Sequence, residues 1–201
     1  MAYIEKSAFE DRNNTTFDPM SNITGIFRNA SDKDEKCSAG FLCVQGDNTP
    51  CEGYTGLNNE MSFYMKAAAA SDLVGKPIFA CDTHEVNEVT DDVTGQVYKV
   101  GCNTLGIPAP AGRPVTFKRI VFDGLRRYRF GEGNLSAAIS TNKFFTIANG
   151  LLVPAAAAPT ANGTPYFKLA GSGNFIEGNR NSFGYYDVVA CTAVSSVAAA
   201  G

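Results

Sequence analysis

The sequence predicts a mainly β protein, a sandwich or barrel-like body carrying an extended N-terminal arm. Three observations lead there. The 201 residues include 14 Phe and 8 Tyr, side chains that suit a pleated, half-buried surface. They also include 20 Gly and 9 Pro, the residues of tight turns, while charged residues make up only 18%. Short apolar runs recur at roughly ten-residue spacing with turn chemistry between them, and no helix-period stripe exceeds about three turns. At this length about 70% of the unfolded chain's surface can be buried, which is enough for a core without covalent staples.

Residues 1–36 hold only scattered apolar positions such as Ile23, Ile26 and Phe27 among runs like Asn13-Asn14-Thr15-Thr16. That composition predicts an extended arm that orders against a partner, followed by a β body over 37–194 and a small-residue tail over 195–201. Within the body, strands are expected over 40–45, 62–67 and 76–81, with one helical turn over 68–72. Thr94-Gly95 reads as a hairpin turn leading into 96–100. The three prolines of 107–114 exclude a central strand there, because each withdraws a ladder donor. Residues 115–122 and 125–130 then read as a hairpin about Asp123-Gly124. Strands over 143–148 and 151–153 flank an Asn149-Gly150 turn, and a further strand is expected over 166–170. Gly171-Ser172-Gly173-Asn174 reads as a small-residue turn before a long closing strand from Phe183 to Val194.

The net charge is −3 and the pI about 5.2, so no long-range field favours a polyanion, and nucleic acid is disfavoured as a partner. The charge is uneven. Residues 1–60 carry ten acids against five bases, whereas Arg113, Lys118, Arg119, Arg126, Arg127 and Arg129 face only Asp123 within 113–129. Arg119, Arg126, Arg127 and Arg129 beside Phe117 and Tyr128 therefore form the candidate interface, since Arg and aromatic residues anchor protein partners and the acidic segments of a neighbour would complement them.

Catalytic and cofactor chemistry finds little support. Cys81-Asp82-Thr83-His84-Glu85 is the densest group of metal-ligand types, but no C-x-x-C or H-x3-H pair accompanies it, so no metal is expected. His84 is the single histidine and stands without a nucleophile elbow. The carboxylates Glu85, Glu88, Asp91 and Asp92 read as a solvated acidic run rather than an acid/base pair or a calcium loop. Neither Gly131-Glu132-Gly133-Asn134 nor Gly171-Ser172-Gly173-Asn174 meets the phosphate-loop or dinucleotide pattern. No enzyme and no cofactor is expected. Six cysteines make up about 3% of the chain, too sparse for a disulfide scaffold, so most are expected as buried thiols, with Cys37-x5-Cys43-x7-Cys51 a loop in which Cys37 or Cys51 pairs under oxidant. The opening residues lack a signal-peptide pattern and no apolar run approaches a membrane span, so synthesis in a cytoplasm and no membrane association are expected.

This layout resembles the small auxiliary proteins that decorate or cement the heads of tailed bacteriophages. The resembling features are the N-terminal arm, the turns Asn149-Gly150-Leu151-Leu152-Val153-Pro154 and Gly171-Ser172-Gly173-Asn174-Phe175, and the long strand after Phe183. The resemblance is architectural and transfers no residue roles. It implies a virion structural protein, made in the host cytoplasm, that binds and stabilises a capsid lattice as a homo-oligomer, with the major capsid protein and sister subunits as partners. The alternative is a carbohydrate- or receptor-binding β-sandwich of a virion tail or fibre, with Tyr166, Tyr185 and Tyr186 stacking on sugars.

Overall fold

The computed structural model describes residues 6–12, 22–50, 62–82, 88–90, 97–99, 108–139, 141–177 and 181–194. The fold is mainly β, as predicted, and no α-helix occurs among these residues. The strands are β1 (Phe9–Asp11), β2 (Asn22–Phe27), β3 (Leu42–Pro50), β4 (Ser62–Ala67), β5 (Ile78–Asp82), β6 (Glu88–Thr90) and β7 (Val97–Lys99). They continue as β8 (Val115–Arg119), β9 (Arg127–Gly131), β10 (Phe144–Ala148), β11 (Leu151–Ala155), β12 (Pro165–Glu177) and β13 (Asn181–Thr192). An open six-stranded sheet has the order β1-β9-β13-β12-β10-β11, and β2-β4-β3-β5-β8 close into a barrel. Every pairing in the sheet is antiparallel. In the barrel β2 and β4 run parallel and the other pairs antiparallel.

Two cores result, and they share a wall. Inside the barrel lie Phe27, Cys37, Cys43, Met65, Phe79, Cys81, Ala109, Val115 and Phe117. Between barrel and sheet, Leu42, Val44, Ile78 and Ala80 pack with Phe9, Tyr128, Phe130, Phe145, Ile147, Leu152, Phe167, Val188 and Ala190. β3 and β5 thus bury both faces, odd-numbered residues into the barrel and even-numbered ones against the sheet. This is why Leu42-Cys43-Val44 and Ile78-Phe79-Ala80-Cys81 are continuous apolar runs instead of alternating ones. By contrast β10 alternates, with Phe145 and Ile147 buried and its other residues half-exposed.

The hairpin turns follow their residue chemistry. Asn149 and Gly150 both have positive φ, 50° and 75°, as a two-residue turn matched to strand twist requires. Gly150 is needed a second time, because an added side chain would lie within the Phe41 ring. Its N–H donates to Ala68 O and its carbonyl accepts from Leu42 N, which docks the β10–β11 turn onto the barrel. The short helical turn expected over 68–72 is a 3-10 turn at Ala70–Leu73, with Asp72 Oδ2 accepting from Ala69 N at 2.9 Å. β6 and β7 pair antiparallel on either side of the expected Thr94-Gly95 turn, which itself lies outside the described residues.

Three expectations need correction. The described parts of residues 1–36 show no extended arm: β1 extends the sheet beside β9, and β2 sits in the barrel between β4 and β8. Ala8, Phe9, Ile26 and Phe27 are buried there. Their sparse spacing hid them, because strands held by backbone bonds to ready-made neighbours need only a few inward side chains. The second correction concerns 115–130, which is no hairpin. β8 belongs to the barrel and β9 to the sheet, and the chain crosses between them. Asp123 Oδ1 does cap a tight turn by accepting from Leu125 N and Arg126 N, each at 2.9 Å, but Gly124 N then donates to Ala190 O and lays the turn along β13. Third, residues 171–175 are strand, not turn, and continue β12. The tail over 195–201 lies outside the described residues.

One polar side chain ties the halves together. Asn134, 1% exposed, accepts from Ala8 N at 3.0 Å and Gly131 N at 3.1 Å and donates to Ala39 O at 2.7 Å. Asn134→Ala should lower the unfolding free energy by about 2–4 kcal/mol, since buried backbone groups lose their partner. Urea denaturation followed by circular dichroism measures it, and a loss below about 0.5 kcal/mol, typical of surface changes, would show the amide to be dispensable.

Candidate functional site

Of the six candidate interface residues, Phe117 and Arg119 lie on β8, Arg126 on the barrel-to-sheet crossing, and Arg127, Tyr128 and Arg129 on β9, and the structure separates them by burial. Phe117 is fully buried inside the barrel and Tyr128 within the sheet-barrel core, so neither presents a ring to a partner. Tyr128 Oη accepts from Val121 N at 3.1 Å, and burial pushes its hydroxyl pKa up, keeping it protonated. Arg119 and Arg127 are exposed. Arg126 pairs with Asp123 at 3.4 Å, and Lys118 with Asp11 at 2.8 Å. Arg127 and Arg129 share one face of β9, with Tyr128 and Phe130 on the opposite, inner face.

Arg129 is the centre of a cross-strand triad. Its register partners are Glu10 on β1 and Asp187 on β13, directly opposite on either side. Nε and Nη2 donate to the two oxygens of Asp187 at 2.7 and 3.0 Å, and Nη1 donates to Glu10 at 3.4 Å. A two-point Arg–carboxylate bond is among the stronger ion pairs, and the Arg129 side chain is only 12% exposed. The Asp187 carboxylate holds the guanidinium pKa above its ordinary value. The guanidinium also covers the Tyr185 ring, 3.7 Å from its centroid. Much of the apparent basic patch is therefore neutralised within the chain.

Tyr185 leads to the structural feature that residue chemistry alone did not reveal. β12 and β13 pair continuously from Pro165↔Thr192 to Glu177↔Asn181, apart from a bulge between Leu169 and Gly171. β10 accompanies β12 only at Phe167 and Lys168, and β9 accompanies β13 only from Tyr185 to Val189. Among the described residues the outer edge of β12 is thus unaccompanied over 171–177, a length of about 20 Å. The last cross-strand pairs, Asn174↔Gly184 to Glu177↔Asn181, form a ribbon projecting past both neighbours.

The base of this ribbon is pinned on both faces. Phe183 packs on Ala8, and Gly184 N donates to Glu132 Oε2 at 2.9 Å. Lys6 Nζ holds the other Glu132 oxygen at 2.6 Å. The Tyr185 phenol fills the space that a side chain at Gly173 would need, so a bulkier residue there must displace the ring. Asp187, Glu132 and Gly173 were not singled out as site residues from sequence. The available signal was an isolated glycine pair inside an otherwise extended frame, which marks close approach by another group.

The remaining candidates fall elsewhere. His84, Glu85, Asp91 and Asp92 lie outside the described residues, and among the described residues no cluster of metal-ligating side chains forms. Tyr166 lies 6.1 Å from the Phe144 ring, and Tyr186 packs on the sheet-barrel core. Cys37, Cys43 and Cys81 are buried thiols, as expected for most of the cysteines, and Cys191 is half-buried. No helix among the described residues is long and apolar enough to cross a membrane.

Two outcomes are expected. Arg129→Glu would set three carboxylates abreast on adjacent strands and should destabilise the fold by about 3 kcal/mol or more, read from thermal or urea unfolding. The Glu132 carboxyl is held below its ordinary value of 4.5 first by Lys6 and then by Gly184 N–H. A depressed carboxylate stabilises the fold above its unfolded pKa, and that contribution is lost as pH falls through the folded value. The Gly184 amide resonance should accordingly titrate with a midpoint below 4.5, and a midpoint above 4.5 would show the ribbon base unanchored by Glu132.

Comparison with protein-family models, with curated proteins and with solved structures finds no match to this chain.

Proposed function

We propose that the chain is a virion structural protein, a decoration or cement subunit that docks on the lattice formed by a major capsid protein and sits beside sister subunits. The observation that carries this reading is the projecting β12–β13 ribbon with its pinned base. An open strand edge displays a row of backbone donors and acceptors, which an extended segment of a neighbour satisfies by adding a strand. Along β12 the edge carries Gly171, Ser172 and Gly173, residues small enough to let another backbone approach closely. The anchors at Glu132 and Tyr185 hold the ribbon's base, so less order has to be imposed at docking. Several copies around a symmetry axis then bind with avidity that no single contact provides.

Docking through the ribbon replaces the arginine-bearing segment 115–130 as the primary contact in this reading. Arg119 and Arg127 remain exposed and serve as rim charges that steer encounter with acidic neighbours. The function is binding rather than catalysis, and its place is the virion.

Gradient sedimentation of material from the native source tests the reading. The chain should be recovered with large particles, and recovery only at the position of a 21.4 kDa protein would overturn the proposal. A variant with residues 176–182 replaced by Asn-Gly joins Phe175 directly to Phe183, which are cross-strand partners. It keeps Phe183 and the cross-strand pairs inward of it, so it should melt close to the parent, yet fail to bind particles stripped of the native chain.

A further inference from the structure

Three cysteines converge inside the barrel from separate segments. Cys43 on β3 stands opposite Phe79, which makes Cys81, two residues further along β5, its diagonal neighbour on the same inner face. Cys37 closes one end of the barrel, where its N–H donates to Ala109 O at 3.0 Å and its carbonyl accepts from Ala109 N at 2.7 Å. Cys81 Sγ lies 3.9 Å from the Cys37 carbonyl oxygen, and Cys37, Cys43 and Cys81 pack in one buried cluster. Cys43 Sγ also turns to a carbonyl of its own segment, Phe41 O, at 3.8 Å. All three are buried, yet Lys36 is exposed and Ser38 half-buried, so Cys37 lies one layer beneath the surface.

We propose that Cys37 and Cys81 are an oxidisable dithiol, converted by a peroxide to a disulfide inside the barrel. In the first step the Cys37 thiolate attacks one peroxide oxygen; the O–O bond breaks, giving Cys37 sulfenic acid and hydroxide, which takes up the proton lost from the thiol. In the second, Cys81 sulfur attacks the Cys37 sulfur, its proton leaves with the displaced hydroxyl as water, and the S–S bond forms. In sum, two thiols and one hydrogen peroxide give one disulfide and two waters. The order of attack follows from position: Cys37 closes the barrel end beside exposed Lys36 and meets the peroxide first, and Cys81, fully buried on β5, resolves. The product joins the segment closing the barrel end to β5, across 44 residues of sequence. Hydrogen peroxide is close to water in size. Because the reactive form is the thiolate and burial disfavours it, the reaction is slow at neutral pH and accelerates as pH rises.

The test uses the intact chain. Hydrogen peroxide is added to the folded protein, remaining thiols are alkylated after denaturation, and unreduced peptides are mapped by mass spectrometry. A Cys37–Cys81 linked pair with a loss of about 2 Da is expected, formed faster at pH 9 than at pH 7. The linkage should persist in Cys43→Ala and vanish in Cys37→Ser. Linkage of Cys37 to Cys43, Cys51 or Cys102, or full alkylation of Cys37 and Cys81 after Cys191 has been consumed, would overturn the assignment. The parent protein alone decides this, so the result does not depend on either variant folding.

Discussion

The arrangement of the two halves depends on a buried amide. Asn134 sits at the end of β9, where its oxygen takes N–H groups from the segment before β1 and from Gly131, and its nitrogen reaches Ala39 just ahead of β3. An unpaired amide in such surroundings would cost several kcal/mol, so the site tolerates Asn only while all three backbone groups stay in place. Apolar packing between sheet and barrel is strong but non-directional. The amide is directional, and it converts a general preference for contact into one relative placement.

That placement explains how one wall serves two cores. β3 and β5 give one face to the barrel interior and the other to the sheet, so neither compartment can rearrange without disturbing the other. Close-packed interiors transmit small changes of volume over such shared walls. The barrel's thiols and the sheet's aromatic residues are thus parts of a single mechanical unit. The ribbon inherits its anchorage from that unit through Phe183, Glu132 and the Glu10–Arg129–Asp187 row.

Local chemistry was legible in the sequence wherever a single segment decides it. The β class, the Asn149-Gly150 turn, the absence of a central strand around Pro108 and Pro110, and the strands beginning near Ser62 and Phe144 all follow from propensity and turn geometry. Partner choice was not legible. Asp123-Gly124 carries a hairpin signal, yet the strands on its two sides find better neighbours in β2, β5, β1 and β13. Charge misled for a related reason: counting Arg129 as surplus ignored Asp187, which is 58 residues away in sequence and opposite it in space. Gly171 and Gly173 look like turn residues until Tyr185 is seen to require the room.

The parallel pairing of β2 with β4, and the antiparallel pairing of β2 with β8, bear on how the chain comes into being. β2 precedes its β8 partner by nearly a hundred residues, and β1 must wait longer still for β9. At about 5–20 residues per second, a ribosome exposes these first strands for several seconds before their ladders can form. Sparse apolar content and abundant Asn, Thr and acid in residues 1–36 keep the waiting segment soluble and discourage premature pairing. The same composition that disguises residues 1–36 as an arm therefore suits them to vectorial synthesis, in which the earliest strands wait longest for a partner.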